Sequence, residues 1–380
     1  MITTAPRVEI GKVAEFVNGM AFKPSDWESA GRPIIRIQNL TDPEKPFNHT
    51  TREVKAKYVV EPGELLMSWS ASLGVFEWNG PQAVLNQHIF RVRPNPSRVD
   101  RAYFKHALER ALELMEPYLH GSTMKHVNRG EFLGTRVLLP SLDEQRRIAA
   151  ILDKADAIRR KRREAIALTE ELLRSTFLEM FGDPVTNAKG WPSYEMGKVA
   201  KFKAGGTLPS GEAFDDQEGG FLLLKVAELN MPPNIPAVRV SREWTAVEGP
   251  RSATCSAGAV VLPKRGGAIS TNKKRLLARP AVLDPNLMGV EPGAKLTSAF
   301  LHSWFEMFDL NTISSGSTVP QLNKKDLAPL TMHVPPMVEQ RKYADVASRL
   351  DAHREQHLEA MTQSDALFHS LVQRAFRGEL

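Results

Sequence analysis

The sequence predicts an α+β protein in which two mixed α/β domains alternate with two long helices. The helices pair as an antiparallel coiled coil, under a pseudo-twofold repeat. Three observations carry this reading. Short identities return along the chain at a fixed offset. Two charged segments combine a thin apolar seam with helix start and stop signals. Between them, aliphatic runs bounded by glycine or proline alternate with shorter helical patterns.

The repeat orders the chain. "GKVAEF" at 11–16 returns as "GKVAKF" at 197–202, an offset of 186 residues. "GST" at 121–123 returns at 316–318, and "EQR" at 144–146 returns at 339–341, both at an offset of 195. Asn128 and Asn323 keep that register, as do Asp156 and Asp351, and Phe181 and Phe376. The order is domain, helix, domain, helix, with boundaries at 1–140, 141–183, 184–335 and 336–380. Duplicated binding units usually meet a duplicated target, although an old duplication without functional meaning gives the same pattern.

The first helix is punctuated at both ends. Ser141 and Glu144 fit a capping box, and Gly182 followed by Pro184 fits a stop. Roughly forty residues at 1.5 Å each make a rod about 60 Å long. The second helix begins after Pro335 and Pro336 and runs to about Phe376. Its heptad seam reads Tyr343, Val346, Leu350, His353, His357, Ala360, Ser364, Leu367 and Leu371. The same register gives Ile148, Ile151, Ala155, Ile158, Arg162, Ala165, Thr169, Leu172 and Thr176 in the first. Neither seam sustains a lone helix, so the two are expected to pair. Short connections make the pair antiparallel, with Arg162 and His357 as a central polar layer that fixes register. The run Arg159-Arg160-Lys161-Arg162-Arg163 reads first as a solvated or protein-facing helix face, with a phosphate track as the alternative.

In the domains, "RPIIRIQNL", "GELLMSWS", "GFLLLKVAEL" and "GAVVLPKRGG" are strand-like, and "RAYFKHALERALELM" and "TSAFLHSWFEMF" are helical. Trp69 and Trp78 are expected in the core, and Asn86, Gln87 and His88 read first as a turn, with base contact as the alternative. The connecting stretches are rich in the residue types that reach phosphates and base edges. Candidate DNA contacts in the first domain are Lys23, Arg36, Gln38, Asn39, Ser68, Ser70, Lys125, His126 and Asn128. In the second they are Lys225, Lys264, Arg265, Lys273, Lys274, Arg275, Gln321 and Lys324, with 264–275 the densest basic cluster.

Composition and motifs narrow the function classes. The net charge of +6 and pI near 9.3 permit an anionic partner without requiring one. A single cysteine, Cys255, excludes a disulfide framework and a multi-cysteine zinc site. No signal peptide or membrane-spanning helix is expected, and the cytoplasm is the default location. No phosphate loop, dinucleotide fingerprint or metal-binding histidine spacing is found. Met231-Pro232-Pro233-Asn234 lacks the aromatic of an amino-methyltransferase loop, and Glu53-Val54-Lys55 is a bare E-x-K of the nuclease type. The chain reads as a binder rather than an enzyme.

Several stretches then carry a resemblance: "FVNGMAFKPSDW", "GSTMKHVNRGEF", "LPSLDEQRRIAAILDKADAIRRKRREA", "GSTVPQLNKKDL", "VPPMVEQR" and the final "LFHSLVQRAFRGEL". Together they resemble the specificity (S) subunits of type I restriction-modification systems over nearly the full length. The resemblance implies two target recognition domains, each reading one half of a bipartite double-stranded DNA site. Half-site centres about one helical turn apart, roughly 10 bp, suit two readers on one face. It implies helices that set the gap and dock two methyltransferase (modification) subunits, with Glu144, Gln145, Arg146, Glu339, Gln340 and Arg341 as interface candidates. No cofactor is expected on this chain; S-adenosylmethionine belongs to the modification subunits and ATP/Mg to the restriction subunits. "EQRKYADVASRLDAHREQH" departs from the pattern of the first helix, which implies different or weaker docking there. Rival readings are a recognition subunit of a type II-like system, a non-DNA coiled-coil scaffold, and a nuclease using Glu53 and Lys55.

Overall fold

The structure, a computed structural model, describes residues 5–42, 44–115, 128–313 and 320–380. Lys125, His126 and both "GST" motifs, at 121–123 and 316–318, lie outside the described residues. The chain divides into two units, Met1–Arg163 with Glu359–Leu380, and Glu164–Leu358.

The first unit holds β1 (Arg7–Glu9), β2 (Ala14–Asn18), β3 (Arg32–Ile35), α1 (Ile37–Thr41), β4 (Asn48–Thr50), β5 (Val59–Val60), β6 (Leu65–Ser68), β7 (Gly74–Glu77), β8 (Ala83–Leu85), β9 (Ile89–Pro94), α2 (Arg101–Met115), α3 (Arg129–Gly134) and β10 (Arg136–Leu138). Two four-stranded sheets form, in the orders β2-β9-β6-β7 and β4-β3-β8-β5. Every pairing in them is antiparallel except β3 with β8. β1 pairs with β10 separately. Helix α2 buries Tyr103, Ala107 and Ala111 along one face and Phe104, Leu108 and Leu112 beside it, the stripe expected of a helix lying on a sheet. Phe16 meets the rings of Phe90 and Phe132 edge to face at 5.8 and 5.9 Å.

The second unit repeats the plan. It holds β11 (Ser193–Glu195), α5 (Met196–Val199), β12 (Ala200–Lys203), β13 (Glu212–Ala213), β14 (Phe221–Leu224), β15 (Ala237–Val238), β16 (Glu243–Thr245), β17 (Thr254–Cys255), β18 (Val260–Pro263), β19 (Arg275–Leu277), β20 (Ala281–Leu283), β21 (Leu287–Pro292), α6 (Ser298–Met307), α7 (Lys324–Leu327) and β22 (Thr331–His333). Its sheets run β12-β21-β18-β19-β15 and β13-β16-β14-β20-β17. Without β13 and β15, both orders match the first unit. The parallel pair recurs as β14 with β20, so β13 and β15 are the second unit's additions. Cys255 is buried as a small apolar residue, and burial pushes its thiol up to about 12.

The two long helices are α4 (Leu142–Phe181) and α8 (Met337–Arg377). Ser141 Oγ accepts the Glu144 N–H at 3.4 Å. The Glu144 carboxylate turns to Arg147 at 2.7 and 2.9 Å. Gly182 and Gly378 stop the helices at φ of +80° and +81°, a conformation that costs glycine little. Within the first unit Arg147 meets the Leu380 carbonyl and Arg159 meets Asp365. One number rises as the other falls, so the segments are antiparallel. Within the second unit the Phe181 ring lies 5.3 Å from Tyr343, and Glu170 pairs with Arg354, which gives the same sense.

The seam is displaced from the expected one. Ile158, Leu172 and Leu367 are 41%, 51% and 56% exposed. Arg159, Leu173 and Phe368 face inward in their place. In α8, Ala347, Arg354 and Val372 are buried where Val346, His353 and Leu371 were expected. The cause is physical. Arginines at 159 and 354 occupy heptad positions that a hydrophobicity pattern assigns to aliphatic residues.

Two strand-like runs also change character midway. After β3, the "QNL" of "RPIIRIQNL" is helical, because Asn39 Oδ1 accepts the Arg36 N–H at 3.2 Å. After β14, a 3-10 turn, Val226–Asn230, follows, because a Glu228 carboxylate oxygen accepts the Lys225 N–H at 2.9 Å.

Candidate nucleic-acid interface

The duplicated plan brings candidates from the two domains to equivalent places. Arg36 and Lys225 hold the same position, the cap between a buried strand and the turn after it. The Arg36 guanidinium donates to Asn48 Oδ1 at 3.1 Å and lies 5.1 Å over the Trp27 ring. Lys225 is exposed, 3.7 Å from Glu243.

A second equivalence follows β6 and β18. The Trp69 N–H donates to the His88 carbonyl at 3.2 Å, and the Lys264 N–H to the Asn286 carbonyl at 2.7 Å. The side chains coincide too. Trp69 Nε1 donates to Asn18 Oδ1 at 3.1 Å, and Lys264 Nζ donates to the Ala204 carbonyl at 3.1 Å. An aromatic in one domain and a cation in the other thus hold equivalent places on a shared frame. Trp69 is half-buried rather than core, whereas Trp78 is core at 5% exposure.

Asn86 and His88 lie at the turn between β8 and β9, as expected, and His88 and Asn18 stand beside Trp69. Asn86 Oδ1 and His88 Nδ1 are buried without a hydrogen-bond partner. His88 has φ +72° and its ring lies 4.9 Å from Trp69. Asn18 was not singled out, although its offset of 186 from Ala204 links it to the second domain's loop.

Other candidates turn inward. Asn39 is 7% exposed and donates to the Lys45 and Pro46 carbonyls. Ser68 and Ser70 are 0% and 3% exposed, and Ser68 Oγ donates to the Ser72 carbonyl. The basic cluster splits. Arg265 is exposed and Lys273 half-buried, its Nζ on Asn230. Lys274 is 2% exposed, and burial pulls its pKa down against the pull of Glu306 and Asp309. Arg275 is tied to the Leu229 and Lys274 carbonyls at 3.3 and 2.8 Å. Burial, with Arg265 beside it, lowers the Lys264 pKa.

Asn128 caps α3, accepting the Gly130 and Glu131 N–H groups at 2.9 and 3.4 Å. Asn323 caps α7 at the equivalent place, so Lys324 stands in its first turn, exposed. Lys23 is exposed, Gln38 is half-buried, and Gln321 is exposed and bridged to Arg265 through the backbone.

Gln145 and Gln340 form one device used twice. Gln145 Nε2 donates to the Arg98 and Pro140 carbonyls at 3.1 and 2.8 Å, and its Oε1 accepts the Asp100 N–H at 2.8 Å. Gln340 Nε2 donates to the Lys295 and Pro335 carbonyls at 2.9 and 2.8 Å, and its Oε1 accepts the Thr297 N–H at 2.9 Å. Both are 0% exposed. They clamp each long helix to its own domain, which removes them from any surface. Arg146 and Arg341 are exposed, while Glu144 and Glu339 are half-buried on the same first turns. Arg146 pairs with Asp143 and Glu339 with Lys342, each at 2.8 Å. Among the described residues no His, Cys, Asp or Glu group can hold a metal ion, and no helix is long and apolar enough to cross a membrane.

Residues 6–168 match the family model of the type I restriction modification DNA specificity domain. The chain is 23% identical over 418 residues to the type I restriction enzyme EcoBI specificity subunit of Escherichia coli, covering 98% of this chain and 86% of that one. Among solved structures, the S subunit of a type I restriction-modification system from M. genitalium aligns with a TM-score of 0.61 at 15% identity, over 99% of this chain and 96% of that one. A chain from a structure on complex assembly and conformational transition of the type I R-M system aligns with a TM-score of 0.52 at 18% identity, over 100% of both. At these identities the two structures establish a shared fold.

Proposed function

We propose that this chain is a specificity subunit of the type I restriction-modification kind, that it reads a bipartite double-stranded DNA target, one domain per half-site, and that it docks methyltransferase subunits along its long helices. The observation that carries the reading is the doubled frame with unlike side chains at matched places: Arg36 against Lys225, and Trp69 against Lys264. A shared frame keeps the geometry common, and the substituted side chains let the halves of the target differ. Arg265, Lys273, Lys225 and Lys324 supply phosphate or base contacts in the second domain. Lys23, Arg36 and Trp69, with the orphaned His88 and Asn86, supply them in the first.

Docking is assigned to the solvent-facing parts of the helices. Leu168 and Leu172 on α4 are 56% and 51% exposed, and Val338 on α8 is 60% exposed, which suits a face covered in an assembly. Arg146 and Arg341 lie on the exposed first turns. In this reading S-adenosylmethionine and ATP/Mg stay with the partner subunits, restriction subunits complete the assembly, and the work is cytoplasmic.

The test is titration of a fluorescent duplex carrying the methylated site of the host against the purified complex with its modification subunits. Specific binding that falls steeply between low and moderate salt is expected. Equal affinity for a scrambled duplex at every salt concentration would overturn the reading.

A further inference from the structure

Four arginines from four separate elements line one cavity of about 140 Å³ in the first unit: Arg7 on β1, Arg110 on α2, Arg136 on β10 and Arg377 on α8. The cavity floor is apolar, made in part by Ala111, Leu138 and Phe376. Arg110 donates to Glu113 at 2.8 Å, and Arg7 donates to the Phe376 carbonyl at 3.2 Å. Among the described residues no ion pair engages Arg7, Arg136 or Arg377. Glu9 stands opposite Arg136 in the strand register, but its carboxylate is held by Lys12 at 3.1 Å. Three cations without a carboxylate partner around one small cavity favour an anion among them.

We infer that this cavity is a binding site for a phosphate group. A carboxylate offers two oxygens in one plane, which a single guanidinium fork satisfies. Arginines on several elements match the several outward oxygens of a phosphate, and a multiply charged anion offsets more of the positive charge. The site is not part of the shared frame. The corresponding positions in the second half hold Ser193, Met307, Thr331 and Gly182. Features common to both units serve the scaffold, whereas this one was built into a single unit. It does not rest on the DNA-reading role, since a chain without DNA affinity would still take a phosphate here.

The phosphate belongs either to a free ligand or to the DNA backbone, and the test separates the two. Pyrophosphate is titrated calorimetrically into the full chain at constant ionic strength, for the wild type and for R136Q/R377Q. Both substituted side chains are exposed. R377Q alone serves if the double variant does not fold. Binding by the wild type, weakened about tenfold or more in the variant, is expected for lost charge-assisted hydrogen bonds. The salt dependence of duplex binding is then compared. An unchanged slope assigns the site to a free phosphate ligand. A slope reduced by about one or two, with pyrophosphate competing against the duplex, assigns it to a DNA phosphate. A wild type that binds no pyrophosphate, or a variant that binds it as the wild type does, would overturn the inference.

Discussion

Arg159 on α4 donates from Nε to Asp365 Oδ1 on α8 at 2.6 Å. The same contact recurs in the second unit with the helices exchanged, Arg354 on α8 reaching Glu170 on α4 at 2.9 Å. The two arginines are 195 residues apart, and so are the two acids. The Arg159 side chain is 14% exposed and also lies 4.3 Å over the Phe368 ring. Arg354 is 7% exposed. These pairs fix which residues of the helices stand opposite each other.

Charge reversal tests that register. Asp365→Ala is expected to cost about 1–2 kcal/mol, reduced from a fully buried pair because Asp365 is 35% exposed. Arg159→Asp with Asp365→Arg should recover part of the loss, with a coupling of about 1 kcal/mol in a double-mutant cycle by urea unfolding. Additive losses would remove the register role.

The glutamine clamps predict matched effects in the two units. Gln145→Leu leaves the Asp100 N–H and two carbonyls without their partner, at a cost of about 2–4 kcal/mol. Gln340→Leu should do the same for Thr297. Hydrogen exchange checks this directly: the Asp100 amide should lose protection in the first variant and the Thr297 amide in the second, each with little effect on the other unit.

His106 predicts a pH dependence of the first domain's seat on α4. Its ring lies between Glu109 and Asp153 at 3.2 and 2.8 Å. Burial disfavours the charged imidazolium, but the two carboxylates outweigh it and raise the pKa above its ordinary value. The folded protein therefore holds the proton more tightly than the unfolded chain. The resulting stability is fully present below the unfolded pKa of about 6.5 and is lost as pH rises through the elevated folded value. His302 in the second unit acts oppositely: burial lowers it to about 4, so stability falls as pH drops from about 6.5 toward that value. Unfolding midpoints measured against pH should lose the first dependence in His106→Gln and the second in His302→Gln.

The split of the basic cluster predicts unequal roles for neighbours in sequence. Arg265→Ala should weaken duplex binding about tenfold and flatten its salt dependence by about one. Lys274→Met should leave the salt dependence unchanged, because a side chain 2% exposed reaches no phosphate. Equal salt slopes for the two variants would contradict the assignment.

The sequence made the large-scale plan legible because repeats, caps and glycine stops are local signals. "EQR" at 144–146 and 339–341 marked both helix starts, and Gly182 marked a stop that φ +80° confirms. The seam was legible only to within one residue. Hydropathy favoured Ile158 and Leu367, whereas Arg159 fills its slot by laying its stem against Phe368 and its charge against Asp365. The candidate interface was legible as loops but not residue by residue. Residue type does not distinguish Lys273, half-buried on Asn230, from Lys274, buried in the domain. Gln145 and Gln340 were conspicuous as a repeated motif, but their repetition reflects a clamp inside each unit. Asn18 became visible only when the strand ends brought it beside Trp69, next to His88, which the sequence had already placed in a turn.

The most direct test of the two-reader account is methylation mapping in a host whose system carries residues 1–140 exchanged for the first domain of another family member. The account predicts that one half of the bipartite methylated sequence changes and the other stays as it was. A change in both halves, or in neither, would contradict it.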